Sequence, residues 1–496
     1  MHLLNRRQFL RKSFLTSAGM AIGSLLNVPG ALRNALAADL PYTWNGNKIL
    51  FVFLRGGNDG LNSLIPSGDP SYSPSTRPTL HIAQPDAGLT SGGQADPTPQ
   101  PNRAIDLGNG FATMHPSLSP LIPLYNEGEL ALIHRVGYPD QSRSHFDSER
   151  YWETGVPQDD FRSEGIFHRT LVETGLHRTQ VMPAVSLQDT MPLILRGDVP
   201  MANINDPSRF DLLGVYAAAR QKHIESITRM HGNPYPAKKN RDLLFPSGDR
   251  FVRSVQQVQA IDFESNGRDQ NGTKNSGSPF LDDDVNATHL FPIDSASDEN
   301  SIGNWSFFQS LKYSAQILGD TDAVVAGTEL HGFDTHSDQL SSHARLMSRV
   351  GWAMYALKKY LSHPSVNMWH KTMVVTLSEF GRTSEENGSN GTDHAEAGVM
   401  FVAGGAANFN GGVYQCDGAS WQTGPTGSMF QTGDRYLARS VDYRSVFGEM
   451  LKRHLGIPDA TLGRIIPGYV NPQENLLAGG TSLDGTAIAG ELGLFT

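Results

Sequence analysis

The chain has only one cysteine, Cys416, among its 496 residues. A single thiol excludes an internal disulfide framework and any metal site built from several cysteines. Charged residues make up 18% of the sequence, compared with about 25% in ordinary soluble domains. Forty basic residues against 50 acidic ones give a net charge of −10, which argues against nucleic-acid binding through bulk charge.

The sequence also lacks several familiar motifs. No uninterrupted apolar stretch reaches the length of about 18 residues that a transmembrane helix needs, so we predict no membrane span. There is no Gly-x-Ser-x-Gly elbow, no His-Glu-x-x-His zinc helix and no Walker phosphate loop. Cys416 is followed by Asp-Gly-Ala rather than Pro-x-Arg, which excludes the formylglycine route of sulfatases. We interpret it as a buried structural thiol.

The N-terminus has the pattern of an export signal. Arg6 and Arg7 precede a moderately apolar stretch that ends in Ala35-Leu36-Ala37. A basic start, an apolar middle and a small-residue end predict a signal peptide over residues 1–37, and the arginine pair indicates its twin-arginine form. We therefore expect the twin-arginine translocase as a partner and a periplasmic or secreted location. A membrane anchor or a buried helix is the alternative.

The rest of the chain alternates between strand and helix patterns. Continuous apolar runs such as Lys48–Leu54 and Met373–Leu377 favour strands that are buried on both faces. We predict an α/β fold with a mixed, mostly parallel sheet and helices on both faces. A single domain is expected over residues 38–496, with loop insertions near 66–103 and 262–302. Further strands are predicted over 130–136, 181–187, 191–195, 322–328 and 398–403, and helices over 115–125, 142–154, 211–230, 305–318, 338–361 and 441–455.

Four polar clusters lie where predicted strands end or begin. Their metal-ligand candidates are Asp59, Asp334, His336, Glu379, Asp393 and His394. Carboxylates and imidazoles gathered at one edge of a sheet are costly without a cation, and divalent metals use these ligands. A lone aspartate after a strand is more often a turn former, but four clusters together predict a metal site. Its identity stays open among Zn²⁺, Mn²⁺, Fe²⁺ and Ca²⁺.

Ser144 is the candidate nucleophile. It lies at the predicted start of a helix, where exposed N–H groups and the helix dipole favour an anion. Beside a metal, a serine in this position can attack a phosphate or sulfate ester; simple helix capping is the alternative. His145 and Arg382 complete the catalytic candidates, because an arginine can neutralise an oxyanion. A structural ion pair is the alternative for Arg382.

The motifs together resemble a known family. The twin-arginine leader and the segments FLRGGNDGLN, SHF with YWETG, HGFDTH, SEFGRT and GTDH are similar to the secreted family catalogued as domain of unknown function 1501. The resemblance covers nearly the whole mature chain. That family is grouped with the alkaline phosphatase-like superfamily, whose enzymes use a metal pair and a Ser, Thr or modified Cys nucleophile.

The resemblance implies roles for individual residues. Asp59 matches the first metal-binding aspartate, Ser144 the nucleophile, and His394 a late histidine ligand. Asp334 and His336 resemble an Asp-His pair, although one residue rather than three separates them; Asp338 has the wider spacing.

A second departure lies at Glu379-Phe380, which stands where an Asp-His pair is expected, and Asp393 can replace the missing histidine. The resemblance implies a hydrolase of phosphate or sulfate esters with one or two divalent ions and an anionic ester substrate. Because of the departures, a non-catalytic exported binding or cell-surface protein on the same fold is the alternative.

Overall fold

The computed structural model describes residues 42–207, 210, 222, 224–226, 229, 241–263, 290–292, 295, 298, 301–421 and 435–496. The signal predicted over 1–37, most of the helix predicted over 211–230 and most of the 262–302 insertion lie outside these residues. Those expectations therefore stay predictions. Among the helices that are described, none combines the length and the apolar character needed to cross a membrane.

The fold is built around one large sheet of nine strands within the described residues. The strands of the chain are β1 (Lys48–Arg55), β2 (Leu64–Ile65), β3 (Ile105–Asp106), β4 (Thr113–Met114), β5 (Leu130–Gly137), β6 (Ala184–Ser186), β7 (Ala202–Asn203), β8 (Val325–His331), β9 (Thr372–Leu377), β10 (Gly398–Gly404), β11 (Gly412–Tyr414), β12 (Val441–Asp442), β13 (Gly480–Thr481) and β14 (Ala487–Ile488). In the large sheet the order is β11-β5-β10-β9-β1-β8-β6-β7, with β12 beside β5. Strands β2, β4 and β3 form a small sheet, and β13 pairs with β14.

Helices surround this sheet. They are α1 (Gly60–Ser63), α2 (Ile122–Asn126), α3 (His145–Thr154), α4 (Ile166–Glu173), α5 (Leu176–Thr179), α6 (Arg241–Gln259), α7 (Trp305–Asp320), α8 (Gln339–Ser362), α9 (Tyr443–Glu449) and α10 (Asp459–Ile465). Short 3₁₀ segments lie at Pro116–Leu121, Leu193–Leu195 and Trp369–Lys371, and a π-helical turn at Met450–His454 continues α9.

Side chains of β1 show why the sheet is covered on both faces. Leu50, Val52 and Leu54 join one buried cluster with residues of α7 and α8. The alternate residues Ile49, Phe51 and Phe53 join a second cluster with residues of α3, α4 and α9. Because successive side chains of a strand point to opposite faces, both faces of β1 are buried. The predicted mostly parallel α/β sheet with helices on both faces is confirmed.

Three predicted elements differ from the structure. The strand predicted over 191–195 is a 3₁₀ turn preceded by Pro192, which has no N–H for a strand ladder. The helix predicted over 115–125 is divided into a 3₁₀ segment and α2, with Pro120 and Pro123 inside it. The first two residues of the helix predicted over 441–455 instead pair with β5 as β12.

Strand direction places the polar clusters at one edge of the sheet. Strands β8 and β9 run parallel to β1, while β10 runs antiparallel to both β9 and β5. The carboxyl ends of β1, β5, β8 and β9 therefore lie at the same edge as the start of β10. Residues that follow β1, β5, β8 and β9 can therefore meet residues that precede β10 at this edge.

Candidate metal centre

Three imidazoles and one carboxylate converge at this edge. Asp334 Oδ1 lies 3.1 Å from His336 Nε2 and 3.1 Å from His394 Nε2. Asp334 Oδ2 lies 3.5 Å from His145 Nε2, and the Nε2 atoms of His336 and His394 are 2.9 Å apart. The structure thus brings together three of the six predicted ligands and adds His145, which the sequence indicated only as a catalytic candidate.

The second nitrogen of each ring faces an oxygen that can only accept a hydrogen bond. These contacts are His145 Nδ1 to Glu379 Oε1 at 2.8 Å, His336 Nδ1 to Asp393 Oδ1 at 3.2 Å and His394 Nδ1 to the Arg143 carbonyl at 2.8 Å. Each Nδ1 must therefore carry the proton of the neutral ring. Each Nε2 then presents a lone pair to the carboxylate of Asp334.

Lone pairs that face one another repel unless a cation lies between them. Metal–nitrogen bonds of about 2.0–2.1 Å in a tetrahedral shell put neighbouring ligand atoms roughly 3.3 Å apart, close to the distances around Asp334 Oδ1. The ligand atoms of His145, Asp334 and His394 all lie within 4.8 Å of one another. The residues fit a divalent metal. Three nitrogens and one oxygen suit Zn²⁺, Mn²⁺ or Fe²⁺ better than Ca²⁺, which prefers oxygen ligands.

Charges around the cluster favour an anionic Asp334. Burial opposes ionisation, but the hydrogen bond from Arg382 lowers the pKa of Asp334 to about 2. Burial also lowers the pKa of His394, so this ring holds one proton at neutral pH and cannot donate from both nitrogens. The hydrogen bond with Glu379 raises the pKa of His145. A proton therefore competes with a metal at the Nε2 of His145 as the pH falls.

Arg382 lies beneath the cluster rather than facing a substrate. Its side chain is fully buried and its Nη2 donates to Asp334 Oδ1 at 2.6 Å. The same guanidinium donates to the carbonyls of Gly56, Gly57, Phe333 and Thr392. These bonds tie three loops together and fix Asp334. The structure therefore supports the structural alternative for Arg382 rather than direct contact with an oxyanion.

The glycine pair after β1 allows these loops to approach closely. Gly56 and Gly57 have φ values of +118° and +79°, which side chains rarely adopt. A Cβ atom would meet the backbone of Asp334 at the first position and the ring of Phe380 at the second.

Asp59 is one of the predicted ligands that the structure does not bring to the cluster. Its carboxylate is completely buried and pairs with Arg77, with 2.6 Å between Oδ2 and Nη1. It also accepts from Gln339 Nε2 at 2.5 Å and from the N–H of Leu61 at 3.2 Å, which caps α1. Burial opposes its charge, but Arg77 lowers the pKa of Asp59. Its acceptor positions are occupied by donors, so we assign it no ligand role.

Glu379 and Asp393 hold the rings of His145 and His336 from outside the cluster. Carboxylates in this position orient a metal-binding imidazole and fix its tautomer. Their observed contacts are those of residues that support a ligand, and direct ligation by either carboxylate stays a prediction. The signal that could have identified His145 as a ligand is its position at the start of α3, the next element after β5 in the chain.

Ser144 precedes α3 in the N-cap position, but its side chain makes no capping hydrogen bond. The side chain of Ser144 therefore does not cap α3, and the residue is half-buried next to His145 in the chain. Cys416 is completely buried, and burial raises the pKa of its thiol, in agreement with a structural role.

Comparison with known proteins supports the family resemblance in part of the chain. The family described as "Protein of unknown function (DUF1501)" matches residues 312–460, a segment that contains Asp334, His336 and His394. Among solved structures, the chain is similar to the alkaline phosphatase from the Antarctic bacterium TAB5, with 11% sequence identity and a TM-score of 0.28 over 76% of this chain and 96% of that chain. This likeness is too distant to assign residues in the site. No curated protein sequence matches the chain significantly.

Proposed function

We propose that the protein is an exported, metal-dependent hydrolase of phosphate or sulfate esters with Ser144 as its nucleophile. One observation carries the proposal. The Nε2 atoms of His145, His336 and His394 converge on Asp334 while each Nδ1 is held by an acceptor. Such a set of lone pairs is stable only around protons or a metal.

The four residues of the cluster would hold one divalent ion, which supplies Lewis acidity toward an anionic ester. Arg382 keeps Asp334 in place, and Glu379 fixes the tautomer of His145. Ser144 stands at the start of α3, where the N–H groups of the first turn favour a negatively charged group. Its hydroxyl makes no capping bond, which leaves it available to attack an ester.

Export by the twin-arginine route belongs to the same proposal. The support is the sequence of residues 1–37 and its Arg6-Arg7 pair. This route carries folded proteins, so a metal could be bound before export. A periplasmic or secreted location follows from it.

Metal analysis and ester hydrolysis test the proposal together. Mature protein purified without chelator should contain Zn²⁺, Mn²⁺ or Fe²⁺ by elemental analysis and hydrolyse p-nitrophenyl phosphate or p-nitrophenyl sulfate. EDTA should abolish hydrolysis, and the metal should restore it. Ser144→Ala should abolish hydrolysis while the metal content stays unchanged, and Ser144→Thr should retain part of the activity.

Two outcomes would contradict the proposal. If the protein is metal-free and binds no added Zn²⁺ or Mn²⁺, the proposed metal centre is wrong. If metal-loaded protein hydrolyses neither ester, or if its activity survives Ser144→Ala, the proposed ester hydrolysis by Ser144 is wrong. The first case together with no hydrolysis would favour the non-catalytic binding protein.

A further inference from the structure

A second group of ligand-type residues lies on the other side of the His145 ring. One ligand atom each from His145, Glu149 and Glu379 lie within 4.8 Å of one another. Since two neighbouring metal ions are a common arrangement in hydrolases, this group raises the question of a second ion. The donors around it decide the answer.

Arg55 already supplies a positive charge there. Its Nη1 lies 3.0 Å from Glu149 Oε2, its Nη2 2.8 Å from Glu153 Oε1 and its Nε 3.0 Å from Glu329 Oε2. Burial opposes the charged form, but these carboxylates raise the pKa of Arg55. A guanidinium in contact with three carboxylates is a permanent cation that would repel a divalent ion close by.

The Glu379 oxygen that faces His145 has no unused lone pair. Its Oε1 accepts from the N–H of Gly56 at 2.7 Å and from His145 Nδ1 at 2.8 Å. A carboxylate oxygen has two lone pairs, and both are used. A metal at this oxygen would have to displace the bond that fixes the tautomer of His145, and Glu379 is completely buried.

The two groups therefore differ in their balance of donors and acceptors. Around Asp334, Arg382 donates to one carboxylate oxygen, but the Nε2 atoms of three histidines also face the carboxylate and present lone pairs to it. Around Glu149 and Glu379, donors from Arg55, Gly56 and His145 face the acceptors.

We propose that the centre binds one divalent ion per chain and that Arg55 occupies the place of a second cation. The guanidinium balances the carboxylates beside His145 and leaves Glu379 bound to the His145 ring. This inference rests on the proposed metal binding at Asp334. Arg55 is a positioning residue here, because it contacts none of the four proposed ligands and acts through Glu149.

The stoichiometry of Mn²⁺ binding tests this inference without an activity assay. Full-length mature protein is loaded with Mn²⁺, dialysed, and analysed by elemental analysis and electron paramagnetic resonance. We expect one ion per chain and the six-line spectrum of an isolated Mn²⁺. Glu149→Gln should leave both the stoichiometry and the spectrum unchanged.

Arg55→Gln removes the fixed charge and should raise the stoichiometry to two ions, with the broadened spectrum of a coupled pair. Arg439→Gln is the matched control. Arg439 is also a buried arginine between two carboxylates, Asp442 and Asp484, but it is not part of either group. It should stay at one ion.

The outcomes separate this inference from the function on which it rests. Two coupled ions in the unmodified protein, reduced to one by Glu149→Gln, would overturn the inference and leave the metal-dependent function intact. A folded Arg55→Gln variant that still binds one ion would overturn the role of Arg55. If that variant does not fold, the Glu149→Gln result decides. No bound ion in the unmodified protein would overturn both proposals.

Discussion

Asp59 and Asp334 occupy comparable positions yet have opposite environments. They follow the neighbouring parallel strands β1 and β8, whose last residues Arg55 and His331 are paired in register. Asp59 is buried and bound by Arg77, Gln339 and a backbone N–H. The side chain of Asp334 is 48% exposed and faces three imidazole nitrogens.

The comparison shows that the groups facing a carboxylate decide its role. A guanidinium satisfies Asp59 completely, so its charge is used to fix the loops beneath the site. Arg382 donates to one oxygen of Asp334, but the three imidazole nitrogens that also face this carboxylate present lone pairs, so a further cation can be held there. The two aspartates should therefore respond differently to substitution, one in stability and the other in metal binding.

The largest effect is expected for Asp59→Asn. The substitution leaves the guanidinium of Arg77 buried without its counter-charge, and breaking a buried ion pair in this way costs about 3–5 kcal/mol. The free energy of unfolding, measured by urea denaturation of metal-free protein, should fall by that amount. The metal content of the folded protein should stay unchanged.

The double variant Asp59→Asn with Arg77→Met is the control for this prediction. It removes both charges and should recover part of the lost stability. If Asp59→Asn instead abolished metal binding and left stability intact, the distinction between the two aspartates would fail.

The next largest effect is expected at the cluster of His145, Asp334, His336 and His394. His394→Ala removes a proposed ligand and should weaken Zn²⁺ binding by more than about 100-fold, which is about 2.7 kcal/mol, as measured by isothermal titration calorimetry. The stability of the metal-free protein should change by less than about 0.5 kcal/mol. His331→Ala is the matched control, since His331 lies exposed at the end of β8 and contacts Glu329 instead. An equal loss of Zn²⁺ affinity in both variants would show that the ion does not bind specifically at the cluster around Asp334.

A smaller effect is expected for a residue that only supports a ligand. Asp393→Asn removes the charge that faces His336 Nδ1 and should weaken Zn²⁺ binding about 10- to 100-fold. Asp338→Asn, on the segment that follows His336, should have no effect, because Asp338 precedes α8 without a side-chain capping bond. A loss as large as that of His394→Ala would make Asp393 a direct ligand, as predicted from the sequence.

Much of the fold could be predicted because it depends on local patterns. The apolar run that forms β1 is buried on both faces, and Ser144 precedes α3 as expected. The antiparallel direction of β10 could not be read from the sequence, because strand pairing depends on contacts between distant segments.

The site was predictable at the level of the sheet edge but not of individual ligands. Strand ends located Asp334, His336 and His394 correctly at one place. The partner of Asp59 is Arg77, which lies in an irregular segment between β2 and β3 that has no periodic pattern. Nothing in the residues next to Asp59 indicates that the Arg77 guanidinium binds its carboxylate.

The smallest expected effect is a loss of stability in acid, and it again distinguishes the buried region around Asp59 from the cluster around Asp334. His343 lies in the buried region near Asp59, with its Nε2 3.1 Å from Asn58 Oδ1, and burial lowers its pKa to about 4. A folded pKa below the unfolded value of about 6.5 gives stability that is complete above pH 6.5 and lost as the pH falls toward 4. Between pH 7 and 5.5 this histidine should cost about 1 kcal/mol of unfolding free energy. The acid loss of metal-free protein should be smaller by about this amount in His343→Gln, as measured by urea denaturation at both pH values, because other buried histidines such as His115 and His454 also have lowered pKa values and keep their share of the loss. An acid loss that disappears when the metal is removed would instead place the sensitive groups in the exposed cluster, where protons compete with the ion.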